Sequence, residues 1–196
     1  MTTFPTPSSP ASAARASALL PARRTAGTEL AQAVIETPLG PLTALASPAG
    51  LHGLWFDGQR HGPGPLAAAH DASQRWIAQA RRELDEYFAG TRRRFDVPLR
   101  PQGTAFQEAV WKLLCEIACG ETTSYGRLAQ ALARPQAPRA VGAAVGRNPI
   151  SILVPCHRVV GEHGALTGYA GGLARKEALL ALEHAGAQAE LALEPA

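Results

Sequence analysis

Apolar residues recur with two periods along the chain, and the change from one to the other organises it. Residues 34–37 and 42–46 flank the turn Pro38-Leu39-Gly40-Pro41, a hairpin signal, and 51–56 supplies a third strand closed by Asp57-Gly58. A helical spacing follows, with Trp76, Ile77, Ala80, Leu84, Tyr87 and Phe88 on one stripe and Gly90 in the stop position. Its other face, Arg81, Arg82, Glu83, Asp85 and Glu86, reads as solvated, and Arg92-Arg93-Arg94 as the exposed flank of a strand.

A second unit opens near Thr104. Thr104-Ala105-Phe106-Gln107 fits a capping box, and Phe106, Ala109, Val110, Leu113, Leu114 and Ile117 form the buried stripe of a helix that ends at Gly120. Ser124 can cap a short helix carrying Tyr125, Leu128, Ala129 and Leu132, and Pro135 to Pro138 separate it from a third at 139–146. Two short helices joined by a tight turn outline a helix-turn-helix. Residues 150–154 read as a β-rich run leading into Pro155-Cys156-His157, and a last helix spans about 173–184.

With 46% hydrophobic residues in a chain of 196, one large or two small cores can be filled. A charged fraction of 18% and a net charge of +3 exclude a highly charged disordered chain, and no apolar run of about 18 residues exists to cross a bilayer. Residues 1–30 are the exception: an Ala/Pro/Ser-rich tail with Arg15, Arg23 and Arg24 and no acid before Glu29. Such a composition also describes a transit peptide, but Pro5, Pro7, Pro10 and Pro21 break an amphipathic helix, so the tail reads as disordered. The three cysteines are too few for a disulfide framework and point to a reducing compartment, the cytoplasm by default.

Charge is distributed unevenly. No acidic residue lies between Thr122 and Gly161, where Arg127, Arg134, Arg139, Arg147 and Arg158 all fall. The third helix is built from Ala140, Val141, Gly142, Ala143, Ala144, Val145 and Gly146, so either a partner backbone or another helix could approach it closely. The arginines favour a nucleic acid as that partner. Cys156 stands where a chain leaves a strand, a place for a nucleophile, although an isolated cysteine is more often a small buried hydrophobe. A thiol needs a base, since only a few per cent is ionised near neutrality when its pKa is about 8.5. His157 is adjacent, but neighbours in extended backbone point to opposite faces, so contact requires a turn or a bridging water. Glu183 shares a helix face with Lys176, Leu179 and Leu180; it is either a surface carboxylate or a buried one seeking a partner such as histidine. Cys115 and Cys119 are spaced like metal ligands but lack a second pair and read as core cysteines. His52, His61 and His70 occupy loop-like surroundings, and no metal site is expected.

These residues resemble the O6-alkylguanine-DNA alkyltransferases. The run from Asn148 to Gly161, centred on Pro155-Cys156-His157-Arg158-Val159, is similar to that family's active-site signature. It continues in Leu166-Thr167-Gly168-Tyr169-Ala170-Gly171-Gly172-Leu173, Lys176 and Leu179 to Glu183. Phe106-Gln107, Val110-Trp111, Gly120-Glu121-Thr122 and Ser124-Tyr125-Gly126 match upstream, and the likeness is weaker from Thr37 to Phe56.

The resemblance implies a mixed α/β chain: an N-terminal ribonuclease H-like α/β roll over 31–100, a C-terminal winged-helix-like domain with the helix-turn-helix over 101–188, and a short tail at 189–196. It implies irreversible, stoichiometric transfer of an alkyl group from O6-alkylguanine, and from O4-methylthymine, to Cys156, with base flipping from the minor groove. Carried over by position, His157 is the base acting through a water, Glu183 orients it, and Asn148 buttresses the active-site turn. Tyr125 twists the phosphate and donates to the base, while Arg139 fills the space of the flipped nucleotide. Backbone groups of Cys156, Val159 and Ala170 read the guanine edge beside Tyr169, and Ala140, Gly142, Ala143 and Arg147 complete the DNA-binding face. The implied partner is double-stranded DNA bearing the lesion, met by a monomer that could bind cooperatively, with no membrane and no cofactor. Ala118-Cys119 replace the proline usual before Gly120, which puts that turn in question. Zinc-binding members use N-terminal cysteines that this chain lacks. A non-catalytic lesion sensor, a cysteine hydrolase and a plain helix-turn-helix regulator are the rival classes.

Overall fold

The computed structural model describes residues 29–191, with side chains to Ala185; the tail at 1–28 and residues 192–196 lie outside the described residues. Three strands form an antiparallel meander, β1 (Ala31–Ile35), β2 (Leu42–Ser47) and β3 (Gly50–Phe56), and β4 (Ala69–His70) adds a short parallel partner to β1, giving the order β3-β2-β1-β4. Alternation sets the buried face, with Ala31, Ala33, Ile35, Leu42, Ala44 and Ala46 inside. The hairpin turn is held by Gly40 N–H donating to Thr37 O at 3.0 Å, with Gly40 at φ +102°, which favours glycine. His52 lies in β3, within the strand expected over 51–56, where its Nε2 meets Ser47 Oγ at 2.8 Å.

Helix α1 (Arg75–Phe88) packs on this sheet through Ile77, Ala80, Leu84 and Tyr87. Its polar face departs from expectation at Glu83, which is buried. Gln79 Nε2 donates to Glu83 Oε1 at 2.7 Å and the backbone N–H of Asp96 to Oε2 at 2.8 Å. The segment after Gly90 folds back over that face, and Arg92 is pinned there by Glu86 and Asp96 at 2.6 and 3.0 Å.

The second unit is helical. The capping box at Thr104 forms, and α2 (Ala105–Leu114) follows, stopping short of the expected end at Gly120 because residues 115–120 turn instead. Ala109 faces outward, while Trp111, outside the predicted stripe, is buried and its Nε1 donates to Ala144 O at 2.9 Å. Helices α3 (Tyr125–Ala131), capped by Ser124 Oγ, and α4 (Pro138–Gly146), with proline in its first turn, pack on each other as the helix-turn-helix, and α4 packs on α2. A two-strand parallel pair, β5 (Thr123–Ser124) with β6 (Val159–Val160), ties the start of α3 to the chain beyond Cys156. The last helix, α5 (Leu173–Leu191), runs past the expected end at His184.

The edge of β3 joins the two units. Leu51 exchanges backbone hydrogen bonds with Pro98 and Arg100 (2.8 and 2.7 Å), and Leu54 with Pro149 and Ser151 (2.9 and 2.7 Å). An edge strand that would otherwise offer unpaired amides is thereby covered, and the loop before Cys156 is fastened to the sheet. Arg175 of α5 adds a second link, its guanidinium 4.6 Å from the Phe56 ring centroid and its Nε donating to Leu39 O at 2.9 Å.

Candidate active site

Residues 150–154 are not a strand. Only Ile150 bridges to β3, and the chain then turns tightly, with Ile152 at φ +69°. The run is apolar because it is buried, and Asn148 supplies the partners a neighbouring strand would have given. Its amide nitrogen donates among Ile150 O (3.1 Å), Val154 O (2.8 Å) and Cys156 Sγ (3.0 Å), while its Oδ1 accepts from Ile150 N–H at 3.0 Å. One buried side chain therefore fixes both the turn and the sulfur. Cys156 to Arg158 then form a single 3-10 turn, not the extended backbone in which neighbours would face apart.

Cys156 is 5% exposed, so its thiol is screened from bulk water. Burial pushes it up to about 11, against the Asn148 hydrogen bond and the nearby Lys176 ammonium, which both favour the thiolate. At neutral pH the sulfur therefore rests protonated and needs a base. Lys176 is itself buried, its Nζ donating at 2.6 Å to both Val159 O and Thr167 O. It thus ties α5 to the active-site turn and to the loop that follows.

His157 is wholly buried and its Nε2 lies 2.8 Å from Glu183 Oε1, which settles Glu183 as a buried carboxylate rather than a surface one. Glu183 is met by further donors: Arg158 Nε to Oε2 (2.9 Å), Arg158 Nη2 to Oε1 (2.8 Å), Tyr87 Oη to Oε1 (2.8 Å) and the Gly120 N–H to Oε2 (3.2 Å). Despite its burial, these hydrogen bonds hold it far below the usual carboxylate range. An ionised carboxylate only accepts, so His157 carries its proton on Nε2 and presents Nδ1 as a lone pair. That Nδ1 is buried and has no partner among the described residues. Burial keeps the imidazole below its ordinary value, against the pull of Glu183, so it is a neutral base at rest.

Arg158 is thus no part of the exposed arginine set; it is buried, and its Nη1 also donates to Ile117 O at 2.6 Å. Neither was Tyr87 legible beyond its place on a hydrophobic stripe, for nothing local says where a hydroxyl 96 residues from its partner will point. The turn at Ala118-Cys119 forms without proline: Glu121 N–H bonds Ala118 O at 3.1 Å and Gly120 takes φ +86°. Cys115 is exposed and Cys119 half-buried, so neither is the core cysteine expected, since the helix ends before reaching them.

Beside the thiol, the loop 161–172 carries Tyr169 and Ala170. Gly171 lets the Tyr169 ring and Phe56 close on it, since a Cβ there would lie 2.8 Å from Tyr169 Cε1. The Ala170 carbonyl accepts from Arg60 N–H at 2.9 Å, an anchor from the sheet unit. Tyr125, half-buried at the start of α3, directs its hydroxyl toward Thr167 and Gly168 of the same loop. On α4, Val141, Ala144 and Val145 are buried, whereas Arg139, Ala140, Ala143 and Arg147 are exposed and Gly142 lies against the Tyr125 ring. Both uses of small residues coexist: one face packs inward and the other is open. Val159 is buried in β6.

Among the described residues no helix is long and apolar enough to cross a membrane. Two family profiles match the chain: "6-O-methylguanine DNA methyltransferase, ribonuclease-like domain" over residues 30–101 and "6-O-methylguanine DNA methyltransferase, DNA binding domain" over 105–185. The methylated-DNA–protein-cysteine methyltransferase of Methanosarcina mazei is 46% identical over 151 residues, 76% of this chain and 94% of that protein. The protein of the same name from Mycobacterium tuberculosis is 46% identical over 159 residues, covering 81% and 95%. A crystal structure of Mycobacterium tuberculosis OGT in complex with DNA superposes with a TM-score of 0.74 at 44% identity, covering 80% of this chain and 94% of that one.

Proposed function

We propose, from the premise that the chain belongs to the 6-O-methylguanine DNA methyltransferase family, that its repair of alkylated DNA is divided among the residues just described. The protein transfers the alkyl group of O6-alkylguanine in double-stranded DNA to one of its own cysteines. Cys156 is that acceptor. Its proton passes through a bridging water to His157 Nδ1, and the imidazolium that forms is stabilised by Glu183 across Nε2. The sulfur attacks the alkyl carbon in line; the S–C bond forms as the C–O6 bond breaks, and the electron pair leaves on the guanine, where the Tyr125 hydroxyl donates to the developing charge. The product is a thioether, which offers water no carbonyl to attack, so each molecule acts once.

The lesion carbon is shielded within the duplex stack, and extruding the base costs a few kcal/mol. Arg139, exposed at the start of α4, occupies the space left behind, while Ala140, Gly142 and Ala143 let the helix approach the minor-groove backbone and Arg147 meets a phosphate. Backbone groups of Cys156, Val159 and Ala170 read the guanine edge, with Tyr169 as the pocket wall. The sheet unit, residues 31–100, holds the active-site turn through Leu54; residues 101–188 carry DNA binding and chemistry. The protein acts as a monomer in the cytoplasm.

The observation that carries this assignment is the pairing of a nearly closed thiol, held by Asn148, with a neutral histidine whose Nε2 is committed to an ionised Glu183. It is tested by incubating limiting protein with excess duplex bearing labelled O6-methylguanine. One methyl per molecule is expected; continued turnover would contradict the mechanism.

A further inference from the structure

Among the described residues the Glu183 carboxylate is held by five donors, and all but one come from the C-terminal unit. The exception is Tyr87 of α1. Its hydroxyl donates at 2.8 Å to Oε1, the same oxygen that accepts from His157. The ring is 2% exposed and is braced by Phe88 edge-on at 5.3 Å and by Phe95 at 5.5 Å, so the hydroxyl has no second place to go. Arg158 grips both oxygens from one side, while Tyr87 adds a donor from the other unit.

We propose that Tyr87 is a positioning residue for alkyl transfer: its hydroxyl fixes the Glu183 carboxylate in the orientation that sets the His157 tautomer, so the sheet unit contributes a group to the proton relay. The inference rests on the roles assigned above to Cys156, His157 and Glu183. Removing the hydroxyl does two separable things. It frees the carboxylate to rotate, which loosens His157, and it leaves Oε1 a stronger acceptor, which favours the imidazolium. The other charged or titratable groups around His157 are Arg158 beside it in the turn, Glu183 and Lys176 of α5, and the Cys156 thiol. Of these only Glu183 loses a hydrogen bond when the Tyr87 hydroxyl is removed, so a shift in the histidine's titration reports that missing bond.

The test is Tyr87→Phe in the full chain, which keeps the ring and its packing. Single-turnover transfer is measured across pH on a duplex bearing O6-methylguanine, with DNA binding and thermal unfolding alongside. Transfer is expected to slow about ten-fold or more, the size of a lost hydrogen bond to a charged group. The acid limb of the rate profile should move to higher pH, with DNA binding unchanged. A purely structural role would lower unfolding temperature without moving that limb, and an unchanged limb overturns the proposal. Should the variant fail to fold, the unsubstituted protein still decides it: the Tyr87 hydroxyl proton should give a slowly exchanging downfield NMR resonance, and rapid exchange would overturn the proposal. The controls separate the two levels. If the unsubstituted protein takes no methyl on Cys156, the assigned roles fail; if it reacts and Tyr87→Phe matches it at every pH, Tyr87 alone does.

Discussion

Around Glu183, donors from α1, the turn before α3, the 3-10 turn and its arginine converge on two oxygens. On the outer face of α4, by contrast, Arg139 and Arg147 are exposed among alanines, and their guanidinium groups have no partner among the described residues. Both regions are polar, but one is saturated by its own chain and the other is left open. Chemistry on a buried thiol needs its base oriented before substrate arrives, and a buried carboxylate tolerates no missing partner. Binding a polyanion needs the reverse, cations whose counterions are released only on contact. Substitutions in the first region should therefore damage reaction and folding together, and those in the second should spare folding and the chemical step while weakening the engagement of duplex DNA.

The largest effect is expected at the sulfur itself: Cys156→Ala should abolish transfer while duplex binding, followed by mobility shift, persists. Glu183→Ala comes next. It leaves Arg158 buried and unpaired, so urea unfolding should show a loss of about 3–5 kcal/mol, with slowed transfer. Acid sharpens the same point. Because Glu183 is held far below its ordinary value, it contributes stability that is complete above the unfolded carboxylate value of about 4.3 and is lost as pH falls through the folded value. The stability gap between the parent and Glu183→Gln should shrink on acidification; a gap independent of pH would mean the carboxylate is not ionised in the fold.

Smaller effects belong to α4. Arg139→Ala should slow repair of duplex DNA about ten-fold, by removing what offsets the cost of flipping, yet leave reaction with free O6-benzylguanine near that of the parent. Equal losses on both substrates would place Arg139 in the chemistry rather than at the duplex. Arg147→Ala should weaken binding evenly across sequences and reduce the slope of binding against salt by about one.

The same contrast explains what could be seen from sequence. Strands β1 to β3 and the helices were legible because burial imposes a period on the chain, and Cys156, His157 and Asn148 because they lie within one short motif. The exposed arginines of α4 were legible because nothing competes for them. Arg158 was misplaced among them because a charge count does not record that an acid lies 25 residues away and buried. Residues 150–154 read as a strand because a buried turn and a buried strand are equally apolar; only the Asn148 amide, which replaces the ladder, tells them apart. Glu83 looked solvated for the converse reason, since its cover comes from the segment beyond the helix. Tyr87 was invisible as a polar group, its ring fully accounting for its place on the stripe.

One measurement bears most directly on the sulfur as permanent acceptor. The protein is digested after exposure to a duplex containing O6-methylguanine, and the peptide carrying Cys156 is weighed as the lesion disappears. That peptide should gain a single methyl in place of the thiol hydrogen, in step with lesion loss and once per molecule; an unmodified Cys156 peptide beside repaired DNA would contradict it.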